Sequence, residues 1–272
     1  MQCPPRNRKV LFYILITAVS ILHGLFYFSL VVYTGNKVPF LVAHISFTAA
    51  VAWYIYSTRS AENKVGEIEE NLAIMNDLEY CSKCKAWRPE RSHHCSRCAK
   101  CVPRMDHHCA FLNTCIGAEN HANFVRLTAF SAFALIFVTI SIGYFFYEFK
   151  EEHPYDEYTK SNVKAELFTL FSMALVYGVL AGYVTYFSGY HIYNIATNTT
   201  YIEREVMEEM AIVGFSCPKN PYDVGICNNF KLLMGKWYFL FLFGEKMETF
   251  AFPKTYFIKK WPPMNMRDLW DM

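Results

Sequence analysis

The chain alternates between long runs without charged residues and polar segments. Four runs reach the roughly 20 residues that a helix needs to cross a hydrocarbon core about 30 Å thick. They span residues 10–33, 38–57, 127–147 and 167–197. A soluble protein would need four unusually apolar core helices in one small chain, so the pattern favours a membrane protein. The sequence therefore predicts an all-α integral membrane protein with four transmembrane helices.

The first run follows a short basic segment, which raises the alternative of a cleaved signal peptide. Arg6, Arg8 and Lys9 precede it. Its length exceeds the apolar region of a signal peptide, which is about 7 to 15 residues, and no cleavage site with small residues follows. We therefore expect this run to be retained as the first transmembrane helix.

The polar segments divide the chain into further parts. The loop between the second and third runs is too long for a simple connector and predicts a small domain. Its beginning, residues 61–79, is acidic and fits either an amphipathic helix or a solvated linker. The aromatic stretch "WYFLFLF", 237–243, is too short to span and is expected to lie on the membrane surface. The predicted parts are a cytosolic N-terminus 1–9, helices one and two within 10–57, a cytosolic domain 58–121, helices three and four within 122–197, and a cytosolic tail 198–272.

Composition and charge support this topology. Hydrophobic residues make up 53% of the chain and charged residues only 18%, against roughly 25% in soluble domains. Nine Lys or Arg lie in 58–121 and nine follow residue 197, whereas 148–166 has three Lys and six acidic residues. Because cytosolic loops are rich in Lys and Arg, the termini and the long loop should be cytosolic. The glycosylation pattern at Asn198 should then stay unmodified.

Seven of the ten cysteines lie in this loop, where a reducing environment favours metal binding over disulfides. Two sets repeat with a shift of fourteen residues and the pattern C-x2-C-x9-H-x6-C. Each set supplies three thiolates and one imidazole, which together close a tetrahedral structural zinc site. The ligands are Cys81, Cys84, His94 and Cys101 in the first set, and Cys95, Cys98, His108 and Cys115 in the second. The alternative is one zinc ion with unrelated additional cysteines.

A further shift by fourteen residues fails to build a third site, because Cys98 maps to Leu112. Cys109 is therefore a loop cysteine without metal partners. Asp106 and His107 precede it, and an imidazole held by a carboxylate can take the proton of a thiol. The structural alternative is a buried cysteine beside a packing histidine. We favour a nucleophile, since two zinc sites would hold both flanks of this thiol.

The stretch "CSKCKAWRPERSHHCSRCAKCVPRMDHHCAFLNTCIG", 81–117, resembles the DHHC family of protein S-acyltransferases, or palmitoyltransferases. Members have a cysteine-rich domain between the second and third of four transmembrane helices. "NPYDVGICNNF", 220–230, resembles the family's C-terminal motif, in which the asparagine matching Asn229 docks the tail on the helices. The resemblance implies two structural zinc ions, with acyl-CoA as the acyl donor.

The resemblance also implies roles for individual residues. Cys109 would carry the acyl group as a thioester and pass it to a cysteine of a substrate protein near the membrane. His107 would be the base and Asp106 would orient it. Arg88 and Arg91 match family positions near the CoA phosphates, and guanidinium groups suit phosphate.

The sequence departs from the family pattern beside the thiol and after the fourth helix. Ala110 and Phe111 replace the usual Pro-Trp, and Thr114 follows Asn113. "TTYIE", 199–203, is one residue longer than Thr-Thr-x-Glu, so either Thr200 and Glu203 keep their roles in a shifted register or the resemblance is weaker at this motif. The first departure bears on the fit of the acyl chain.

The preferred interpretation is an acyltransferase in the lipid bilayer of a eukaryotic endomembrane (Golgi or ER) or the plasma membrane. Its expected partners are acyl-CoA, substrate proteins and an optional accessory subunit, with no nucleic acid. An inactive scaffold and a partner-recruiting zinc module remain as alternatives. A transporter is disfavoured because the predicted spans carry, as ionisable groups, three histidines that suit packing. These are His23, His44 and His191.

Overall fold

The structure is a computed structural model that describes residues 38–152, 161–235, 252–256, 258 and 260–263. The predicted first span, 10–33, and the aromatic stretch 237–243 lie outside the described residues. Helices in chain order are α1 (Val38–Ser60), α2 (Glu70–Met75), α3 (His121–Glu152), α4 (Ser161–Ala196), α5 (Tyr201–Ile212) and α6 (Ile226–Met234). Three of these helices, α1, α3 and α4, cover the other three predicted spans.

Two helices of the described residues are long and apolar enough to cross a membrane by length and composition. They are His121–Glu151 and Val163–Ala196. In the most apolar 18 residues of each helix, only 28% and 11%, respectively, are buried inside the protein. A core helix of a soluble protein would be mostly buried. Large exposed side chains such as Phe133, Ile140, Phe168 and Tyr186 instead form an outer surface suited to lipid.

The described residues form two compact units. The first contains Ile55–Phe124 and the described residues from His191 onward, and the second contains 38–54 and Val125–Tyr190. In the second unit, aromatic pairs join α1 to α3: the ring centroids of Phe47 and Phe137 lie 5.6 Å apart. A cluster from α3 and α4 is buried there, consisting of Val138, Ile142, Phe145 and Tyr177.

The cysteine-rich part of the first unit consists of three β-hairpins, which corrects the all-α prediction. The strands are β1 (Glu79–Cys81), β2 (Ala86–Arg88), β3 (His93–Cys95), β4 (Lys100–Val102), β5 (His107–Cys109) and β6 (Thr114–Ile116). Each consecutive pair is antiparallel, and equivalent pairs are Cys81↔Ala86, Cys95↔Lys100 and Cys109↔Thr114. Strands of three residues are too short to produce an alternating sequence pattern, which is why periodicity did not predict them.

The fourteen-residue repeat extends to the backbone of all three hairpins. Each turn contains one residue with positive φ, namely Lys85 at 52°, Ala99 at 51° and Asn113 at 50°. The third hairpin therefore keeps the turn of the other two although it lacks their second cysteine. The region 61–79, left open between helix and linker, contains the single short helix α2.

Buried amide side chains and a close backbone approach hold the third hairpin against the start of α3. Asn120 Nδ2 donates to the carbonyl oxygens of Thr58 and Cys115, at 2.8 and 3.0 Å. A Cβ on Gly117 would lie 2.6 Å from a methyl group of Val102 and 2.7 Å from a carbonyl oxygen of Pro103. Only glycine fits there, so the chain passes from β6 into α3 in one fixed path.

Candidate active site and metal centres

The two predicted ligand sets each come together in space. Within each set, one sulfur or ring nitrogen from every member lies within 4.8 Å of the others. In the first set, Cys84 Sγ is 3.2 Å from His94 Nδ1 and Cys81 Sγ is 3.7 Å from it. These are close to the edges of about 3.5 to 3.8 Å expected for a tetrahedron with Zn–S near 2.3 Å and Zn–N near 2.0 Å.

The second set has the same geometry. His108 Nδ1 lies 3.5 Å from Cys95 Sγ, 3.4 Å from Cys98 Sγ and 3.6 Å from Cys115 Sγ. Both sets use Nδ1 of a histidine in the middle of a strand and the two cysteines of one turn. Three sulfurs and one nitrogen around a single point fit a tetrahedral metal ion, and this donor set suits zinc.

Cys109 belongs to neither set. It is a free cysteine with 7% of its surface exposed, and it ends the strand that begins with His107. Phe111, two residues later, is 72% exposed. The thiol is therefore sheltered while an aromatic side chain beside it is open to another molecule.

Asp106 fixes the ring of His107. His107 Nδ1 donates to Asp106 Oδ2 at 2.7 Å, which leaves Nε2 for the Cys109 thiol. Burial lowers the pKa of His107, but the hydrogen bonds to Asp106 and Cys109 and the charge of Asp106 outweigh burial and raise this pKa to about 9. The imidazole is thus a strong proton acceptor next to the thiol.

Asp106 is itself fully buried and held on its other oxygen. The backbone N–H of Tyr201, at the start of α5, donates to Asp106 Oδ1 at 2.8 Å. Burial raises the pKa of this carboxyl, but its electrostatic interaction with His121 and its hydrogen bond from His107 outweigh burial and hold the pKa far below its usual range. The carboxylate is therefore ionised and directed at His107.

Rings from three other segments surround the His107 imidazole. Its centroid lies 5.1 Å from that of Phe124, 5.7 Å from that of His191 and 6.4 Å from that of Tyr201. Sequence reasoning missed Phe124 and Tyr201 and assigned His191 to packing. Their separation in sequence hides this arrangement, and the only available signal was the rarity of a histidine in an apolar run.

Arg91 lies in a buried network behind the site. Its Nε and Nη2 donate to the two carboxylate oxygens of Glu203 at 2.6 and 2.7 Å, and Nη1 donates to Asn198 Oδ1 at 3.1 Å. Burial raises the pKa of Glu203, but the charge and hydrogen bonds of Arg91 outweigh burial and lower it. The structure thus gives Arg91 a packing role, and its contact with CoA stays a prediction.

Arg88 is nearer the surface. Its Nη1 donates to the carbonyl oxygen of Ser92 at 2.5 Å and its Nη2 pairs with Glu79. About 20% of its side chain is exposed. A contact between Arg88 and a phosphate would compete with Glu79, and it also stays a prediction.

The shifted register after α4 is resolved as a capping box. Thr200 is the N-cap of α5: its hydroxyl accepts from Glu203 N at 3.3 Å, and Glu203 Oε2 accepts from Thr200 N at 2.8 Å. Thr200 and Glu203 therefore act together at this helix start. Asn198 is 3% exposed, which disfavours its glycosylation independently of topology.

The tail contacts the end of α4 as the resemblance implies. Asn229 is fully buried and its Nδ2 donates to the carbonyl oxygen of Ala196 at 2.7 Å. Its Oδ1 accepts from Val224 N at 3.1 Å. One asparagine thereby caps α4 and fixes the loop before α6.

The region that contains both ligand sets and Cys109 is similar to known proteins. A family model described as DHHC palmitoyltransferase matches residues 74–208. The chain therefore belongs to the DHHC palmitoyltransferase family.

The chain is similar to named members from three kingdoms. It is 28% identical over 187 residues to "Probable protein S-acyltransferase 16" of Arabidopsis thaliana, covering 67% of this chain and 62% of that protein. It is 31% identical over 177 residues to "Palmitoyltransferase PFA3" of Yarrowia lipolytica, covering 59% and 44%. It is 30% identical over 186 residues to "Palmitoyltransferase ZDHHC20-A" of Danio rerio, covering 65% and 47%. The chain thus spans about half the length of these relatives.

Proposed function

We propose that the protein is a protein-cysteine S-acyltransferase in which Cys109 is the nucleophile. The observation that carries this proposal is the alignment of Asp106, His107 and Cys109, with the Nδ1–Oδ2 distance of 2.7 Å fixing the imidazole. The family match and the names of the similar proteins support the same activity.

The reaction has two balanced steps. Cys109 passes its proton to His107 Nε2, and its sulfur attacks the carbonyl carbon of a fatty acyl-CoA; the new S–C bond forms as the C–S bond to CoA breaks, and CoA leaves as a thiol with the proton. A cysteine thiol of a substrate protein then attacks the Cys109 thioester, and Cys109 recovers its proton through His107. One thioester is exchanged for another, so no ATP is needed.

The two metal sites complete this proposal as structural elements. The ligand sets would each hold one zinc ion, and with four protein ligands neither has a position open for substrate. The zinc ions would fix the hairpins on both sides of Cys109. Because zinc-bound thiolates share their lone pairs with the metal, Cys109 is the free loop sulfur available for attack.

The finer assignment to a membrane is part of the same proposal. Four transmembrane helices would include α1, α3 and α4 and the run 10–33, with both flanking regions and the zinc domain cytosolic, in an endomembrane or the plasma membrane. A fatty chain in lipid-like surroundings gains about 0.8 kcal/mol per buried CH2. Lipid-like surroundings would thus stabilise a bound fatty chain, which fits a fatty acyl-CoA as the donor. Arg88 would be the better placed of the two arginines to meet CoA phosphates.

The test is acylation of the purified protein in detergent with palmitoyl-CoA. Mass spectrometry should show one palmitoyl adduct on Cys109 that hydroxylamine removes, and transfer to a cysteine peptide should follow. Cys227→Ser is the matched control, because Cys227 is an exposed free cysteine outside the site and its loss should leave the adduct on Cys109. An adduct on Cys227 alone, or none, would refute the proposed activity.

A further inference from the structure

A buried arginine determines which nitrogen of His121 carries the proton. Arg104 Nη1 lies 2.8 Å from His121 Nδ1, and both residues are almost completely buried. A guanidinium group has donors and no acceptor. His121 Nδ1 must therefore accept this hydrogen bond, so a neutral His121 ring carries its proton on Nε2.

This protonated nitrogen faces the carboxylate of the proposed catalytic unit. His121 Nε2 is 3.8 Å from Asp106 Oδ1, the oxygen that already accepts from Tyr201 N. The distance is about 0.8 Å longer than an ordinary hydrogen bond. Hydrogen bonds in catalytic sites are often long without substrate and shorten in the reactive complex.

A metal ion is the rival occupant of this place. Ligand atoms of Asp106, His121 and His191 lie within 4.8 Å of one another, which is close enough for three ligands. A metal at His121 Nε2 requires that nitrogen to be unprotonated, and ligating histidines normally donate their other N–H. Here Arg104 donates to the other nitrogen. The geometry therefore favours a hydrogen-bonded chain over a metal site.

We propose that Arg104 and His121 form a positioning pair behind Asp106: Arg104 sets the tautomer of His121, and His121 Nε2–H holds Asp106 Oδ1 so that Oδ2 stays directed at His107. Neither residue touches the reacting atoms. The charged guanidinium of Arg104 also interacts electrostatically with Asp106. The inference rests on the proposed function only in assigning Cys109 as the acylated thiol.

The test compares His121→Phe with His121→Gln by two readouts. The first is the single-turnover rate of Cys109 acylation by palmitoyl-CoA, and the second is alkylation of Cys109 by iodoacetamide at fixed pH. We expect His121→Phe to slow both by about 10- to 100-fold, the usual effect of losing an outer hydrogen-bond partner, with the KM for acyl-CoA unchanged. His121→Gln, whose amide nitrogen takes the place of Nε2, should recover most of the rate.

A double-mutant cycle separates positioning from general support. In an Asp106→Ala background, His121→Phe should change the alkylation rate less than about threefold, since it acts through Asp106. An equal loss in both backgrounds would overturn the proposal, as would an unaltered rate in His121→Phe. Where His121→Phe fails to fold, His121→Asn replaces it: its shorter amide should leave the site slow while His121→Gln restores it.

Metal analysis tests the rival directly. Wild-type protein in excess zinc should keep two zinc ions, and a third ion that disappears in His121→Gln would overturn the proposal. If wild-type protein forms no acyl adduct on Cys109, the proposed function fails, whereas the alkylation cycle still decides whether Arg104 and His121 act on Asp106.

Discussion

The second and third hairpins have equivalent strand pairing and turns. They differ in the chemistry that the side chains of their first strands can support. Strand β3 consists of His93, His94 and Cys95 and follows Ser92, whereas β5 consists of His107, His108 and Cys109 and follows Asp106. The middle histidine, His94 or His108, belongs to a candidate metal set in both hairpins. The cysteine at the end of the strand belongs to a candidate set in the second hairpin, where it is Cys95, and to neither candidate set in the third, where it is Cys109.

The preceding residue gives His93 and His107, the equivalent first histidines of β3 and β5, different hydrogen bonding and different pKa values. Ser92 is buried and its hydroxyl has no hydrogen-bond partner within the described part of the chain, whereas Asp106 binds His107. Burial, and then the charge of Arg88, lowers the pKa of His93 to about 4. Burial also lowers the pKa of His107, but the interactions with Asp106 and Cys109 outweigh it and raise this pKa to about 9. The two hairpins thus differ by one carboxylate beside the first histidine and by whether the last cysteine of the strand belongs to a clustered set.

The largest expected effect comes from the same substitution at the two equivalent cysteines. Cys109→Ser should abolish the acyl adduct and keep the metal content of wild type, because serine leaves both ligand sets intact. Cys95→Ser should remove about one metal ion per chain and lower the yield of folded protein, because metal binding supplies much of the folding free energy of such modules. Metal analysis and mass spectrometry of both variants check this. Equal metal loss in the two would contradict the assignment of Cys109 as free.

Asp106→Ser gives the third hairpin the residue of the second. We expect acylation of Cys109 to fall by about 10²- to 10⁴-fold, the range associated with loss of a positioned acid–base unit. Ser92→Ala is the control and should change little, since the Ser92 hydroxyl has no hydrogen-bond partner among the residues that the structure describes. Single-turnover kinetics with palmitoyl-CoA measure both. A rate within about threefold of wild type in Asp106→Ser would show that the carboxylate does not distinguish the hairpins.

His107→Ala tests whether Asp106 and His107 form one unit. The single variant should slow acylation about as much as Asp106→Ser, and the double variant should be less than about threefold worse than either, because the carboxylate acts through the imidazole. His93→Ala provides the comparison in the second hairpin and should keep the rate. Additive losses in the double variant would mean that the two residues support the site separately.

The sequence predicted those features of the two hairpins that depend on residues close together in the chain. The fourteen-residue spacing predicted the two clustered sets and left Cys109 outside them, because the members of each set lie close together in the chain. The hairpins escaped prediction because their strands have three residues. The contacts of Asp106 with Tyr201 and of Arg91 with Glu203 join residues 95 and 112 positions apart, and no pattern in one sequence reports such pairs. His121 likewise received no role from the sequence, which placed it at the end of the predicted cytosolic domain 58–121.

The segments that precede β3 and β5 also contact α5 differently, and we expect this difference to affect the free energy of unfolding. Arg91, in the loop before β3, forms a hydrogen-bonded ion pair with Glu203 of α5. Asp106, the residue before β5, instead accepts a hydrogen bond from the backbone N–H of Tyr201. Arg91→Met leaves Glu203 buried without its partner, which should lower the free energy of unfolding by about 3–5 kcal/mol. Denaturation in detergent measures this. A raised KM for acyl-CoA at unchanged stability would instead support the contact of Arg91 with CoA phosphates.

The Arg91–Glu203 pair predicts that its contribution to the free energy of unfolding depends on pH. Because folding lowers the pKa of Glu203, the pair stabilises the folded state above the unfolded carboxyl pKa of about 4.3 and loses this effect as pH falls through the folded pKa. The stability difference between wild type and Arg91→Met should therefore be full near neutral pH and narrow below about pH 4. A difference that is constant from pH 7 to pH 3.5 would exclude the ion pair as its source.

The smallest expected effect concerns the turns, where Ala99 and Asn113 have the same positive φ of 51° and 50°. Alanine in this region is strained by about 1–2 kcal/mol, while asparagine tolerates it better because its short polar side chain bonds locally. Glycine removes the strain but loses about 0.5–1 kcal/mol to the greater freedom of the unfolded chain. Ala99→Gly should therefore raise the free energy of unfolding by up to about 1 kcal/mol, whereas Asn113→Gly should leave it unchanged or slightly lower. Ala99 is exposed, so no packing is lost in the exchange. Thermal unfolding of the two variants at saturating zinc compares them, and a larger gain for Asn113→Gly would mean that the third turn, beside the free thiol, is the more strained of the two.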